Sequence, residues 1–430
     1  VTPHLLCIGG NDHGLRVPFL LALRDRGFRV SAAGTGDSAP FVHAGIDYYR
    51  FHYDRSFNIW TDIAAFNALS KLISELRPDL VQSFDTKPNW LAPLAARRAG
   101  IPSVRTINGL ALVYSSRSLR ARLFRPVWRG MHRLVAQSTA KSVFQNRDDE
   151  EFFRRHNLIG KAGSRLIPGS GVDVERFRSD AVAGHSKQDL RHKLGLAASE
   201  VVITVSRMTR EKGIPTLLNA AALVHAERPG VRFLLVGPRN SEGAAAVSQA
   251  EISRHAPYVV YLGQRSDIAR LLSLADVFAF PTEYREGVPR VLLEAAAAGL
   301  PIVTTNMPGC RDVVRHGLTG FIVPTAEPQI VANCLLGLLN NKEEARAMGA
   351  RAMTFIQENF SLSLIVDKYA ALYHEVMARS VDTLLIADRR HGQGPVWEDL
   401  GISTDPATVT RQAKNIHDIR EPRRAQEILR

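Results

Sequence analysis

Short apolar runs alternate with longer amphipathic segments along most of the chain. Residues 5–8 are unbroken apolar and open onto Gly9-Gly10-Asn11. Leu15, Phe19, Leu20 and Leu23 then recur at helical spacing until Gly27, and residues 28–33 read as the next strand. A strand, turn, helix and strand in that order is the unit of a doubly wound α/β domain with a parallel sheet. The alternation continues with a helix over 62–75, a strand over 80–83, a helix over 90–99 and a strand over 103–107. Residues 143–146 and a charged helix lead to a Gly/Pro/Ser cluster, 167–173, which reads as a linker. Polar residues 179–189 read as a loop. Strands over 201–205, 231–236, 259–262, 277–280, 302–305 and 321–323 follow, with helices over 216–227, 267–275 and 289–298 among them. Two Rossmann-like domains are therefore predicted, 1–170 and 171–360. A helix over 361–380 follows, and from 381 to 430 the periodicity is lost, which predicts a disordered tail.

Composition narrows the class. A chain of 430 residues exceeds one ordinary core, and 45% hydrophobic residues is normal for a globular protein. Three scattered cysteines, Cys7, Cys310 and Cys334, suggest neither a disulfide framework nor a zinc site and favour a reducing compartment. No uncharged apolar run reaches about 18 residues, so no membrane-spanning helix is predicted. The first residues lack a basic start and a cleavage site and read as a strand rather than a signal peptide.

The net charge of +13 is concentrated. Between Asp85 and Asp148 there is no acidic residue and there are twelve cations, Lys87 and Arg105 among them. Such a block suits an anionic partner: nucleic acid, acidic lipid headgroups or a diphosphate. Within it, residues 115–137 place Leu119, Leu123, Phe124, Val127, Trp128 and Met131 at helical spacing, interleaved with arginines, and Pro126 is a point at which the helix would kink. A basic amphipathic helix with a tryptophan suits a membrane surface, with Arg117, Arg120, Arg125 and Trp128 facing it. An ordinary surface helix with its apolar side in the core fits the same spacing.

The chemistry-bearing residues gather at strand ends, where open α/β sheets place their ligands. Arg207 and Lys212 lie between a strand and a helix, and two cations there can neutralise a diphosphate without metal. Glu286 lies on the loop after the strand over 277–280, and Glu294 lies eight residues on, in the helix that Pro289 starts and Gly299 ends. Both carboxylates can therefore face one side near a helix N-terminus. Gly9, Gly10, Gly237 and Gly287, with Val288, are read as positions where backbone approaches a ligand. Lys87 and Asn108 each follow a strand end, where a ligand would reach them. No metal-ligand set is visible.

Glu286-x7-Glu294, the small-residue helix around it and the Gly-Leu-Pro-Ile-Val-Thr-Thr strand resemble the signature of retaining glycosyltransferases of the GT-B fold, family 4. The variant Tyr-Arg-Glu-Gly-Val-Pro-Arg-Val-Leu-Leu-Glu-Ala is most similar to bacterial members that extend lipid-linked oligosaccharides and O-antigens. Arg207 and Lys212 take the basic positions of the family's second motif, and Gly171-Val172-Asp173 resembles its interdomain passage. The resemblance implies two Rossmann-like domains facing a cleft, with a late helix crossing back to the first. It implies Glu286 on hydroxyls of the transferred sugar, Glu294 on the donor ribose, and front-face substitution. Many relatives carry Thr-x-His-Gly where this chain has Thr106-Ile107-Asn108-Gly109, so Asn108 offers hydrogen bonds but no imidazole base. The implied partners are a nucleotide-sugar substrate, UDP-sugar ahead of GDP-sugar, and a polyprenyl-diphosphate-linked saccharide acceptor. They include the anionic inner face of the plasma membrane, which makes the protein cytoplasmic and peripheral; no cofactor is implied. An epimerase or phosphorylase of the same fold class would share the two halves, and the Glu-x7-Glu context argues against both. A nucleic-acid binder would need stacking aromatics or a known module, and neither is visible.

Overall fold

Each strand end that carries chemistry in the sequence lies at or next to a reversal in strand order. A computed structural model describes residues 2–390, apart from 55–57, 111–112, 115–118, 184–185, 197, 240–242 and 244. The first sheet contains β1 (His4–Gly9), β2 (Arg29–Gly34), β3 (Asp47–Arg50), β4 (Leu80–Phe84), β5 (Ser103–Ile107), β6 (Lys141–Phe144) and β7 (Ser164–Leu166), in the order β3-β2-β1-β4-β5-β6-β7. The second contains β8 (Glu200–Val205), β9 (Val231–Val236), β10 (Val259–Gly263), β11 (Val277–Phe280), β12 (Ile302–Thr305) and β13 (Gly320–Val323), in the order β10-β9-β8-β11-β12-β13. Pairing is parallel throughout both. The order reverses between β1 and β4 and between β8 and β11, and crevices for ligands open at such switch points.

β8 and β11 read as largely apolar runs because helices cover both faces of the sheet. In β1, Leu5 and Cys7 pack on one side with Phe19, Leu20 and Leu23, whereas Leu6 and Ile8 pack on the other with Ala65, Leu69 and Ile73. The second sheet divides likewise, Val201 and Ile203 on one side and Val202 on the other. The helix Leu362–Arg390 packs on the first sheet through Ile365, Val366, Tyr369, Leu372, Tyr373 and Val376. Each such buried side chain contributes about 2 kcal/mol. Its two tyrosines also satisfy polar groups inside the sheet: Tyr373 O–H donates to Gln82 Oε1 at 3.0 Å, and Tyr369 and Thr106 hydroxyls meet at 3.1 Å. This helix runs ten residues past the expected end at 380; residues 391–430 lie outside the described residues.

The segment expected as a loop contains parts of two helices, Val174–Val182 and Lys187–Lys193. They are polar and short, and side chains cap them: Asp173 accepts from the Arg176 N–H at 3.0 Å, and Ser186 from the Asp189 N–H at 3.1 Å. Pro126 does not divide its helix, which runs Leu119–Ala136. Three of the twelve cations of the basic block, Lys87, Arg105 and Lys141, are inside the fold. The Arg105 guanidinium is held by Ser142 Oγ and the carbonyls of His132 and Leu158, and burial lowers its pKa to about 9.

Candidate active site at the two switch points

At the second switch point the loop after β11 is tied to the turn after β8. The 3-10 turn Arg210–Lys212 ends at Gly213, whose φ is 72°. A Cβ there would stand 1.8 Å from the Pro281 carbonyl, so only glycine lets the turn lie against the β11 end. The Glu283 N–H donates to the Glu211 carbonyl at 2.9 Å, and the Tyr284 N–H to Thr282 Oγ1 at 3.1 Å. These bonds bring Lys212 to Glu286, with which it forms an ion pair whose side chains are 11% and 17% exposed. Its ammonium also lies 4.9 Å from the Tyr284 ring and 5.5 Å from that of Phe280, and the Arg207 guanidinium stands 5.9 Å from Tyr284. Burial, then the Glu286 charge, pushes the Tyr284 phenol well up. Pro289 caps the helix Arg290–Ala297 rather than opening it as its first residue. Within this helix Glu294 pairs with Arg290 at 2.8 Å, and Arg290 also reaches the Leu15 carbonyl of the first domain at 2.7 Å.

At the first switch point Asp85 stands at the end of β4 with φ 69°. It accepts from the Gly10 N–H at 2.9 Å, Asn108 Nδ2 at 3.1 Å and Arg16 at 3.3 Å. Lost solvation raises its pKa, but Arg16, the Gly10 N–H and Asn108 outweigh it and hold the carboxyl below its ordinary value. A cavity of about 140 Å³ lies here, lined by Asp85, Asn89, Asn108, Trp128 and His132 and, from the second domain, Tyr284. Asn108 Oδ1 and Trp128 Nε1 have no hydrogen-bond partner. A buried acceptor and a buried donor on one cavity are an incentive for a polar guest, because leaving each unsatisfied costs about 1–3 kcal/mol.

Two family models divide the chain between the sheets: one described as Glycosyltransferase Family 4 matches residues 19–176, and one described as Glycosyl transferases group 1 matches residues 199–341. The chain belongs to the group 1, family 4 glycosyltransferases. Among curated relatives it is 26% identical over 375 residues to the N,N'-diacetylbacillosaminyl-diphospho-undecaprenol alpha-1,3-N-acetylgalactosaminyltransferase of Campylobacter jejuni, covering 86% of this chain and 97% of that one. It is also 26% identical over 328 residues to the UDP-Gal:alpha-D-GlcNAc-diphosphoundecaprenol alpha-1,3-galactosyltransferase of Escherichia coli, with 75% and 82% covered. Among solved structures, HepE of Anabaena with UDP and glucose superposes with a TM-score of 0.73 at 21% identity, covering 87% of this chain and all of that one. WaaG, a glycosyltransferase of lipopolysaccharide biosynthesis, gives 0.67 at 17% identity, with 86% and 98% covered. The fold is GT-B.

In this glycosyltransferase several expected site residues are otherwise engaged. Lys87 turns away from the cavity that its neighbour Asn89 lines, because Asp62 neutralises it from the helix Ile59–Leu76. The Gly10 N–H is held by Asp85, and Gly9 is pinned by His13, whose ring a Cβ would meet at 2.3 Å. The Val288 N–H donates to Gln145 Oε1 at 3.0 Å, so that amide is taken by the first domain rather than open to a donor. Gly237 packs on Ser206, leaving 1.8 Å between a would-be Cβ and its carbonyl. Trp128 is 1% exposed and does not face outward: it stacks among Tyr114, His132 and Phe153. Arg125 folds back, its Nε donating to the Val113 carbonyl at 3.1 Å. Arg117 lies outside the described residues. Arg120 and Arg122 are exposed, beside Leu119, Leu123 and Val127. Asp85, Gln145, Asn146 and Asp149 are the residues not named as site candidates from sequence; the positions of Asp85, Gln145 and Asn146 just after strands are the signal that could have found them.

Proposed function

We propose that the protein is a retaining glycosyltransferase that moves a hexose-type sugar from a UDP-sugar to a saccharide carried on a polyprenyl diphosphate, in the synthesis of a cell-surface polysaccharide. The observation that carries this reading is the Lys212–Glu286 pair beside Arg207, separated by Tyr284 from a first-domain cavity with unsatisfied polar atoms. Arg207 and Lys212 would neutralise the donor diphosphate without metal, releasing Glu286 to the hydroxyls of the transferred sugar, with Glu294 on the ribose. In the transfer, a bond forms between the acceptor oxygen and the anomeric carbon as the bond from that carbon to the diphosphate oxygen breaks. The acceptor proton passes to the leaving diphosphate, giving the glycosylated acceptor and UDP. Names of relatives that include diphospho-undecaprenol acceptors support the acceptor class.

The acceptor side is proposed to meet the anionic inner face of the plasma membrane. The helix Leu119–Ala136 exposes Leu119, Leu123, Val127 and Leu134, together with Arg120, Arg122 and Arg133. Across the helix Pro88–Arg98, the helix Ile59–Leu76 exposes Ile59, Trp60 and Ile63 at its start. The two helices follow β5 and β3 of the first sheet. Apolar tips flanked by arginines suit the headgroup boundary, each cation contributing about 1 kcal/mol. Among the described residues no helix is long and apolar enough to cross a membrane.

The deciding experiment offers UDP-, GDP- and ADP-sugars with a synthetic polyprenyl-diphosphate saccharide, with and without EDTA. Transfer from a UDP-sugar in EDTA, with the anomeric configuration kept in the product by NMR, is expected. Inversion, a strict metal requirement or epimerisation of the donor would overturn the reading.

A further inference from the structure

The loop that carries Glu286 belongs to the second domain, but its backbone is held by the first. Three hydrogen-bonding groups of residues 286–288 go to two side chains at the end of β6. Asn146 Nδ2 donates to the Gly287 carbonyl at 2.8 Å and the Glu286 carbonyl at 3.2 Å, and Gln145 Oε1 accepts from the Val288 N–H at 3.0 Å. Glu286 also forms an antiparallel bridge with Gly109. One residue earlier, Arg285 Nε donates to Asp149 Oδ1 at 2.8 Å, and Asp149 is fully buried. Asn146 in turn caps the helix Arg147–Arg155: its Oδ1 accepts from the Asp149 N–H at 2.8 Å while its Nδ2 donates to Asp149 Oδ2 at 3.0 Å. Every partner therefore agrees on which way its amide points.

The fit leaves no slack. A Cβ on Gly287 would meet Gln145 Oε1 at 2.1 Å, and one on Gly109 would meet the Arg285 carbonyl at 2.6 Å. Two adjacent side chains and one buried carboxylate thus set the path of residues 285–288.

We infer that Asn146 and Asp149 are positioning residues, which hold the Glu286 carboxylate at Lys212 only while the two domains are engaged. This rests on the proposed role of Glu286 in transfer. Neither side chain touches the Glu286 carboxylate or Lys212; Asn146 acts through the loop backbone and Asp149 through Arg285. Donor chemistry is thereby made conditional on the acceptor domain being in place, a condition that would limit loss of donor to water in the disengaged molecule.

The test uses the full chain with Asn146→Asp and Asp149→Asn. Asn146→Asp keeps the cap oxygen and turns the amide donor into a carboxylate facing three acceptors. Hydrogen exchange is read first, because it needs no activity. Amides of 284–288 are expected to exchange at least about 10-fold faster in both variants while those of β9 are unchanged. Unchanged exchange in the loop would overturn the inference. With a working transfer assay, kcat is expected to fall about 100-fold, the cost of a misplacement near 1 Å, with UDP affinity held within about 2-fold. Asn146→Asp combined with Glu286→Gln should be no slower than Glu286→Gln alone; losses that multiply instead would mean that Asn146 acts independently of Glu286 and would also overturn it. If the unaltered protein neither binds UDP nor transfers sugar, the proposed function fails, and the exchange result still decides whether the first domain holds the loop.

Discussion

Lys212 and Glu286 are 74 residues apart in the chain, and their side chains meet as a partly buried ion pair at the ends of β8 and β11. A diphosphate entering beside Arg207 would compete with Glu286 for that ammonium. Substrate entry would then exchange one charge-assisted contact of Lys212 for another and turn Glu286 to the hydroxyls of the sugar.

Removing either cation should therefore be costly in a specific way. Arg207→Ala and Lys212→Ala are each expected to lower transfer by about 100-fold or more, on the order of 3 kcal/mol per lost contact to the leaving group. Circular dichroism should remain that of the parent protein. Steady-state rates at saturating donor measure this, and wild-type rates in either variant would remove the residue from the site.

Asn108 should report on the acceptor. Its Nδ2 is held by Asp85, its Oδ1 is buried and unpartnered, and the residue lines the cavity. Asn108→Ala is expected to raise the acceptor KM about 10-fold, equivalent to about 1.4 kcal/mol. UDP binding by calorimetry should be unchanged. An effect on UDP binding alone would place Asn108 on the donor side instead.

At the interdomain contact, pH acts through Asp149. Arg285 from the loop, with Asn146 and Asp148 from its own helix start, are the groups that face it, and burial raises its carboxyl from 3.8 to about 6. The folded chain thus binds this proton more tightly than the unfolded chain. The stability the group contributes is present in full below 3.8 and is lost as pH rises through about 6. Activity should run the other way, since a neutral carboxyl no longer pairs with Arg285. A kcat profile with an acidic limb near 6, absent from a uniformly slow Asp149→Asn variant, is expected. Persistence of that limb in the variant would assign it to another group.

Membrane binding should depend on the exposed tips. The double variant Arg120→Glu, Arg122→Glu and the single variants Leu123→Glu and Trp60→Ser are each expected to reduce sedimentation with vesicles rich in phosphatidylglycerol, by about 5-fold or more for the double charge reversal. Trp128→Phe, which alters a core residue, should sediment like the parent. Undiminished sedimentation of the first three at moderate salt would mean that these faces are ordinary surface.

Much of the architecture is determined locally. β9 and β11 fall where the sequence predicts them, because a parallel strand buried on both faces favours an apolar run ended by turn residues; β5 and β12 fall there too, although each carries polar side chains. The places of Arg207, Lys212 and Glu286 after strand ends are also legible, since a sheet's ligand crevice follows from which residues come next after a strand. The orientation of the helix Leu119–Ala136 was not. It carries two apolar stripes, one through Leu119, Leu123 and Val127 and one through Trp128, His132 and Val135. Only the neighbouring helix, which offers Trp90 Nε1 to His132 at 3.0 Å, decides that the second goes inward. Lys87 is a lysine after a strand end until Asp62, 25 residues earlier, takes its charge. The hold of Asn146 on Gly287 joins residues 141 positions apart. Periodicity and turn chemistry are short-range and can be read along a chain; the pairing of a carbonyl in one domain with an amide in the other exists only once both sheets have formed and met.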